Sequence, residues 1–410
     1  MTTSSEVPRS PQMAASSFRG APSELAGPKV WLLSVGHAVD DLYQGAVPAL
    51  IPFFVAARHW DYSTASGITV AATVLSALIQ PAFGVITDRR RLPWLVPLGM
   101  ALAGIGIALS GLSGSYAITL LAVALSGVGV AAYHPESARL ARDAARGSHV
   151  AMSWFSLGGN IGFALGPLLV PLVLIPLGIS GTLPLAVPAI IWALVTAGAL
   201  RRRITPPTNS TQTGATTTAS AQPAALAKKD DWKGFGTLVV PVIARSILTA
   251  GFGTFLALFV EHRLHTGTNV GEAALITFYG VGAVGTLLGG RLAKRFGRIP
   301  TIRAAYAATI LFTLGVWLIP GPAVFLAIAA TAVAAYVPFS IHVTLGQDFL
   351  PNHVGTASGV TLGLAVSVGG LLAPVLGVIA DHAGLSMSIA TLVLMPVVAA
   401  LVGLRLHEPN

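Results

Sequence analysis

The chain has 410 residues, of which 54% are hydrophobic and 10% are charged, and it contains no cysteine. A soluble globular protein carries about 25% charged residues, so this composition excludes an ordinary soluble fold and predicts a polytopic membrane protein. The lack of cysteine excludes disulfides, thiolate metal sites and thiol nucleophiles.

The elements follow from hydropathy, taken in chain order. Residues 1–28 are rich in Ser, Ala and Pro and lack the apolar core of a signal peptide, so we predict a disordered cytoplasmic tail there. A membrane span needs about 20 apolar residues. That rule gives spans at 29–56, 62–87, 93–113, 116–142, 148–176 and 180–201, then at 234–262, 270–294, 299–319, 321–347, 354–380 and 385–405.

Between the sixth and seventh spans lies a polar, Thr- and Ala-rich stretch. We predict a cytoplasmic linker over 204–232, a first bundle of six helices over 29–203 and a second over 233–406. The predicted fold class is therefore an all-α membrane protein with twelve transmembrane helices in two pseudo-symmetric six-helix bundles.

The basic residues set the orientation. All but three of the 24 Lys and Arg residues fall on one side of the membrane if both termini are cytoplasmic. This is the positive-inside pattern. The net charge of +9 therefore predicts contact with membrane lipids rather than with nucleic acid.

An internal repeat relates the two halves. With an offset of 205 residues, "LIPFFVAARH" (50–59) lies over "FLALFVEHRL" (255–264), matching Phe54 to Phe259 and Arg58 to Arg263. Parallel six-helix repeats are the plan of secondary transporters, which hold substrate near the midplane between the halves.

The first predicted span contains the stretch "VGHAVDDLYQGAVP" (35–48). Asp40 lies 11 residues after Lys29, about 16 Å along a helix, and hence near the middle of the bilayer. His37 is spaced to contact either Asp40 or Asp41. A carboxylate at this depth is costly and points to function. Proton coupling, substrate contact and a static cap between helices all remain open.

The fourth span ends in "YHPESARLAR" (133–142). Pro135 frees a backbone carbonyl one turn earlier, which predicts a kinked polar segment where His134 faces substrate. Glu136 could carry a proton with Arg139 adjusting its affinity. The same two residues could instead form an ion pair that stabilises the end of the helix.

Arg245 lies 205 residues after Asp40, so the repeat places it across the pseudo-twofold axis. Its planar guanidinium suits a carboxylate or phosphonate, which predicts a site for an anionic substrate, a pair with an acid, or both in turn. Asn160 and Tyr279 are weaker candidates for substrate contact, since a lone polar residue in a span more often bonds another helix.

Two loop motifs resemble the signature of the major facilitator superfamily. "GVITDRRRL" (84–92) has its Gly84, Asp88 and Arg89, and "GRLAKRFGR" (290–298) has its Gly290 and Arg295. A helix end with an acid beside arginines can form a charge clasp that locks one conformation, so we predict a conformational gate at these five residues; plain basicity of the loops is the alternative. Arg91 replaces the second glycine of the first motif, and Lys294 replaces the acid of the second.

A narrower resemblance concerns the fosmidomycin-resistance exporters of that superfamily. It is carried by "YHPESARLAR" (133–142), "SLGGNIGFALGP" (156–167) and "GVIADHAG" (377–384). It implies a drug or antibiotic efflux pump of the bacterial inner membrane, driven by proton antiport, for a small polar or anionic compound.

The expected protein is a monomeric transporter, not an enzyme, and needs no cofactor beyond the proton gradient. The candidates for proton coupling are His37, Asp40, Asp41, Glu136 and Arg139. The candidates for substrate binding are Arg245, His37, Asp40, His134, Asn160 and Tyr279. An importer or facilitator of a small metabolite on the same fold is the alternative.

Overall fold

The computed structural model describes residues 28–145, 149–201, 229–353, 356–357, 360–361 and 365–409, and these contain helices but no strand. The predicted tail at 1–28 lies almost wholly outside the described residues, and so does most of the linker predicted at 204–232.

The first half consists of six α-helices. They are α1 (Pro28–Arg58), α2 (Tyr62–Arg89), α3 (Leu95–Ser110), α4 (Tyr116–Ala145), α5 (His149–Leu177) and α6 (Val187–Arg201). A 3-10 helix, Ile179–Ala186, precedes α6.

The second half contains three long helices followed by three broken spans. The long helices are α7 (Trp232–Leu264), α8 (Thr268–Phe296) and α9 (Arg298–Leu318). The broken spans pair α10 (Val324–Tyr336) with α11 (Pro338–Phe349), α12 (Ala365–Leu371) with α13 (Ala373–Ala383), and α14 (Leu385–Thr391) with α15 (Leu394–Gly403).

Eight helical segments of the described chain are long and apolar enough to cross a membrane, when the halves of α10–α11 and of α14–α15 and the 3-10 helix before α6 are each joined into one segment. The segments Leu95–Ser110 and Val368–Ala383 are apolar but shorter. With the broken spans counted as units, the helices are consistent with the twelve predicted crossings.

The predicted repeat has a structural counterpart at the ends of α1 and α7. The Arg58 guanidinium lies 5.3 Å from the ring centre of Phe54, and that of Arg263 lies 5.4 Å from the ring centre of Phe259. Each arginine also donates a hydrogen bond to a carbonyl after the third helix of its half, at Gly111 (2.9 Å) and Ile319 (3.1 Å). The offset of 205 therefore pairs equivalent positions.

Helices α1 and α5 approach each other closely because glycines line their contact. A Cβ atom placed on Gly45 would lie 2.2 Å from the carbonyl oxygen of Phe163. One turn before Phe163 on α5, a Cβ on Gly159 would lie 2.4 Å from the Asp41 carboxylate. A larger residue at 159 would therefore displace the acid of α1.

The two bundles meet mainly where α5 packs against α8 and where α2 packs against α12 and α13, with a smaller contact of α1 with α7. We call the end where α6 finishes and α7 begins the linker end. The described hydrogen bonds between the bundles lie towards the opposite end. There the backbone amides of Tyr62 and Ser63 donate to Asp381 (2.8 and 3.0 Å), and the Thr69 and Thr254 hydroxyls lie 3.2 Å apart.

Candidate functional site

The polar centre of the first half is assembled by three helices. Helix α1 supplies His37, Asp40 and Asp41, and α4 supplies His134, the residue directly before Pro135. Helix α5 supplies a wall without a side chain at Gly159, which leaves room for the acid. The glycine-lined contact of α1 with α5 thus brings two imidazoles and two carboxylates together.

Asp41 lies between the two imidazole rings. Its Oδ2 is 3.2 Å from Nε2 of His37, and its Oδ1 is 3.2 Å from Nε2 of His134. Gln44, one turn later on α1, donates from its side-chain amide to Oδ1 at 2.6 Å. Asp41 is therefore the acid that His37 contacts, a choice that the spacing alone left open.

The other nitrogen of each ring is committed to the backbone. Nδ1 of His37 lies 2.8 Å from the Phe155 carbonyl oxygen, and Nδ1 of His134 lies 2.9 Å from that of Val130. A carbonyl oxygen only accepts hydrogen bonds, so each Nδ1 must donate. In a neutral ring Nε2 is then a lone pair, and it faces an oxygen of Asp41 that is also an acceptor when ionised.

Each of these two contacts is favourable only if a proton lies between nitrogen and oxygen. If Asp40 and Asp41 are both ionised and both protons are present, the cluster holds two imidazolium ions and two carboxylates, and its net charge is zero. Loss of a proton leaves two acceptors facing each other and an excess negative charge in a low-dielectric site. Proton coupling at this cluster stays a prediction.

Asp40 is fully buried, and neither of its carboxylate oxygens has a hydrogen-bond partner among the described residues. The nearest described imidazole nitrogen is Nδ1 of His134, 3.5 Å from Oδ2. Burial of an unpaired carboxylate is strongly unfavourable. Asp40 is consequently sensitive to whether His134 carries a charge.

Glu136 and Arg139 form an ion pair one turn along α4, with the Arg139 Nε 3.0 Å from a Glu136 oxygen. Arg139 also reaches Asp143, at 3.3 Å. The pair suits the structural interpretation of Glu136 as well as the functional one, because Arg139 neutralises a fully buried carboxylate.

The polar centre of the second half is built around Arg245 on α7, whose side chain is only 6% exposed. The guanidinium lies 4.8 Å from the ring centre of Phe339 and 6.0 Å from that of Tyr336. The Tyr306 hydroxyl donates to the Pro241 carbonyl at 2.9 Å and lies 3.4 Å from Nε2 of His342.

No described ion pair joins Arg245 to an acid, and its Nε has no hydrogen-bond partner within the described chain. Cation–π contacts offset part of the cost of burying this charge, but they do not neutralise it. The pairing with an acid that the sequence left open is thus absent from this conformation, while the anion site stays a prediction.

Asn160 and Tyr279 lie near the contact between α5 and α8. The Asn160 amide donates to the Ser156 carbonyl of its own helix at 3.4 Å. The Tyr279 ring packs against Phe163 across the bundle interface, with ring centres 5.6 Å apart. Neither is in contact with the two polar centres through a described hydrogen bond, so their role in substrate binding stays a prediction.

The predicted gate is described only in part. The side chains of Asp88 and Arg89 lie outside the described residues. A Cβ atom on Gly84 or on Gly290 would meet no atom within 4 Å, and Arg295 is exposed with its guanidinium 5.2 Å from the ring centre of Phe296. The gate therefore stays a prediction.

The arginine of the second motif that does form ion pairs is Arg298, at the start of α9. It contacts Asp348 at the end of α11 and Glu408 near the C-terminus. Both partners lie in the second half, so this charge cluster stabilises one bundle and does not bridge the two.

Three of these side chains have the spacing of a metal site. His37, Asp41 and His134 each offer one ligand atom, and these atoms lie within 4.8 Å of one another. Protons between the rings and the carboxylate explain the same distances, and Gln44 occupies one oxygen of Asp41 as a donor. The absence of a resident cofactor stays a prediction.

The sequence interpretation missed Gln44 and Glu272. Gln44 follows Asp41 by three residues, and that spacing was a usable signal. Glu272 lies in the first turns of α8, is 1% exposed, and has no hydrogen-bond partner for either oxygen among the described residues. An acid so near the start of a predicted span looks like a residue at the membrane surface, so its burial gave no local signal.

A family model described as Major Facilitator Superfamily matches residues 33–374. The chain belongs to the major facilitator superfamily. It is a multi-pass membrane transporter, not an enzyme, and the fold expected from the loop motifs is confirmed.

Two curated relatives cover nearly the whole chain. The fosmidomycin resistance protein of Escherichia coli (strain K12) is 28% identical over 373 residues, 90% of each chain. An uncharacterized MFS-type transporter of Bacillus subtilis (strain 168), YfnC, is 27% identical over 405 residues, 93% of each. The resemblance to fosmidomycin-resistance exporters thus extends beyond the motifs.

Solved structures share the fold at lower identity. A bacterial homologue of the human lysosomal transporter Spinster, in an inward-facing and unoccupied conformation, aligns with a TM-score of 0.72 at 16% identity, covering 92% of this chain and 96% of that one. The nucleoside transporter NupG aligns with a TM-score of 0.71 at 15% identity, covering 92% of this chain and 100% of that one.

Proposed function

We propose that this protein is a proton-coupled antiporter of a bacterial inner membrane that exports a small polar or anionic compound. The observation that carries the proposal is the position of Asp41 between two imidazoles whose Nδ1 atoms are both committed to backbone carbonyls. Such a cluster can take up and release protons. A facilitator does not need a site for protons.

The second support is the separation of charge between the halves. The proton-storing cluster of His37, Asp40, Asp41 and His134 belongs to the first bundle, and Arg245 belongs to the second. An anionic group of the substrate would neutralise Arg245, and its planar fork would bind a carboxylate or phosphonate in two-point contact. The substrate therefore bridges the bundles, as alternating access requires.

The coupling follows from competition at Asp41. When the cluster loses a proton, an N–H or O–H group of the substrate can take the vacant place as donor to the carboxylate. Protons and substrate then occupy the cluster in turn. The proton-loaded and the substrate-loaded transporter can each change between the inward-open and the outward-open conformation. The preferred substrate has one anionic group for Arg245 and one hydrogen-bond donor for Asp41.

The direction of transport is proposed from two observations. The described hydrogen bonds between the bundles lie towards the opposite end, which supports a conformation closed there, with substrate entering the centre from the linker end. The positive-inside pattern predicts that this end is cytoplasmic. The relative from Escherichia coli is a fosmidomycin resistance protein, and resistance by transport requires outward flux. The alternative, uptake or facilitated diffusion of a metabolite, predicts no proton counterflow.

The test uses everted membrane vesicles from a host that lacks its own drug pumps. A respiratory pH gradient is established, fosmidomycin and other small phosphonates or carboxylates are added, and the lumenal pH is followed with a fluorescent dye. We expect substrate to dissipate the gradient in vesicles that contain the protein and not in empty ones. Entry of substrate to no more than the outside concentration, without any change in the gradient, would favour the facilitator.

A further inference from the structure

A cleft between the two bundles lies apart from the polar centres. It has a volume of about 310 Å³ and runs between α5 and α8. Its α5 wall is apolar, and Leu168, Leu172 and Ile175 on that wall are all about half exposed. In a membrane such side chains face acyl chains, so the cleft opens sideways into the bilayer.

The α8 wall of the cleft contributes the polar residues Asn269 and Glu272. Glu272 is 1% exposed, and neither oxygen has a hydrogen-bond partner within the described chain. No described salt bridge involves Glu272, and the nearby Glu261 has the same sign of charge. An unpaired acid next to an apolar cleft is neutralised either by a proton or by a cation that can donate hydrogen bonds.

The depth of Glu272 indicates which cations can reach it. Helix α8 has 29 residues, which is about 43 Å and matches a bilayer of roughly 40–45 Å with its headgroups. Glu272 is the fifth residue of the helix, so it lies about 6 Å from the end. This is the boundary between headgroups and hydrocarbon, in the leaflet away from the linker end.

We propose that this cleft binds an ethanolamine phospholipid, with its primary ammonium group on Glu272 and an acyl chain along the α5 wall. The amide of Asn269 is placed to donate to the phosphate. The headgroup supplies three N–H donors and a positive charge at the required depth, while the chain fills the apolar surface. The proposal is independent of proton coupling and of the transported substrate.

The cleft joins the two bundles, so its occupant affects their relative motion. Helix α5 belongs to the first half and α8 to the second, and Phe163 meets Tyr279 farther along the same interface. A lipid wedged there stabilises the conformation in which it fits best. The lipid is thus expected to change the balance between conformations as well as the stability of the fold.

The experiment measures lipid binding to the full-length, delipidated protein by native mass spectrometry and by the thermal unfolding midpoint. The probes are lysophosphatidylethanolamine, lysophosphatidylcholine, which has no N–H donor on its nitrogen, and dodecylamine. We expect the ethanolamine lipid to bind about tenfold more tightly than the choline lipid, since charged hydrogen bonds are lost in the latter.

Three variants locate the site. Glu272→Gln removes the charge, Ile276→Trp fills the cleft without changing charge, and Glu261→Gln is the matched control because Glu261 does not line the cleft. The preference for ethanolamine should vanish in the first two and persist in the third. If Glu272→Gln fails to fold, Ile276→Trp alone still decides between the outcomes.

Equal binding of the two lysolipids would overturn the proposal, and so would an unchanged preference in Glu272→Gln or Ile276→Trp. Binding of dodecylamine without binding of the ethanolamine lipid would overturn the lipid assignment in favour of a site for soluble amphiphilic amines. Proton antiport measured on the same samples can fail or succeed without affecting either result.

Discussion

At the scale of single residues, Asp41 occupies a position that no other acid of the described chain shares. It accepts from Gln44 and faces the Nε2 atoms of two histidines. Substitution by Asn keeps the size but replaces one oxygen with an N–H donor. The cluster then cannot alternate between loaded and unloaded states.

We therefore expect Asp41→Asn to abolish uphill, proton-driven transport, with at least a tenfold loss of rate. Exchange of substrate for substrate across a membrane without a gradient should be retained within about threefold. Both rates can be measured with labelled substrate in proteoliposomes. Asp143→Asn is the control, since Asp143 is half exposed on α4; loss of both activities in Asp41→Asn would contradict a coupling role.

Arg245 is the second residue on which the account depends. Arg245→Lys keeps the charge but loses the planar fork, and Arg245→Gln loses both. Because charged hydrogen bonds to a bound anion are lost, we expect affinity for anionic substrates to fall roughly tenfold in the first variant and more in the second.

Affinity for a neutral analogue should change little in either variant. Direct binding measured by calorimetry on purified protein would show the difference between the two substrate classes. Equal losses for anionic and neutral compounds would show instead that Arg245 supports the fold of the second bundle.

At the scale of elements, the start of α2 is held by two carboxylates. Asp61, which belongs to the same bundle as α2, accepts a hydrogen bond from the Thr64 amide at 2.8 Å. Hydrogen bonds from Thr64 lower the pKa of Asp61. Asp381, from α13 of the other bundle, accepts from Tyr62 and Ser63. Of the two carboxylates, the one that connects the bundles is that of Asp381. Opening of this end must therefore break its hydrogen bonds to Tyr62 and Ser63.

We expect Asp381→Ala to shift the protein towards conformations open at the opposite end. The chain has no cysteine, so spin labels on Ser115→Cys and Thr266→Cys, one in each bundle, report the distance across that end. The distance distribution should gain a longer component. Asp61→Ala removes a cap from the same helix within one bundle and should leave the distribution unchanged; an equal shift in both variants would argue against an inter-bundle clasp.

The contact of α1 with α5 is the element-scale feature that positions the site. A side chain at Gly45 would collide with the backbone at Phe163, so Gly45→Val should lower the unfolding midpoint and the yield of folded protein. Overpacking of this kind costs about 1–3 kcal/mol. Gly236→Val in α7 is the matched control, since a Cβ there meets nothing within 4 Å; similar losses in both variants would show that the collision with α5 is not the cause.

At the scale of the whole molecule, the all-helical fold could be predicted because hydropathy is a local signal. The register of the repeat could be predicted because both halves keep matching residues at a constant offset of 205. The choice of Asp41 over Asp40 as the contact of His37 could not, since both spacings are compatible with a helix. The offset placed Arg245 across from Asp40, but the aromatic neighbours of Arg245 come from α9, α10 and α11 of its own bundle. Those contacts depend on packing that no single segment encodes.

The burial of Glu272 was unpredictable for a related reason. Glu272 lines a cleft whose other wall is α5, from the other half of the chain. An acid near the end of an isolated helix is solvated, and its burial depends on the elements that pack around it in the folded chain. Sites of this kind are visible in the assembled transporter rather than in any span.

A reconstituted exchange experiment shows whether protons drive substrate out through this carrier. Purified protein in proteoliposomes is given an imposed pH gradient, acidic inside, and uptake of labelled fosmidomycin or of a substrate found in the vesicle screen is followed with proton efflux. The account predicts substrate accumulation above the outside concentration, with proton efflux that stops in Asp41→Asn. Equilibration to equal concentrations without proton flux in the wild-type protein would contradict it.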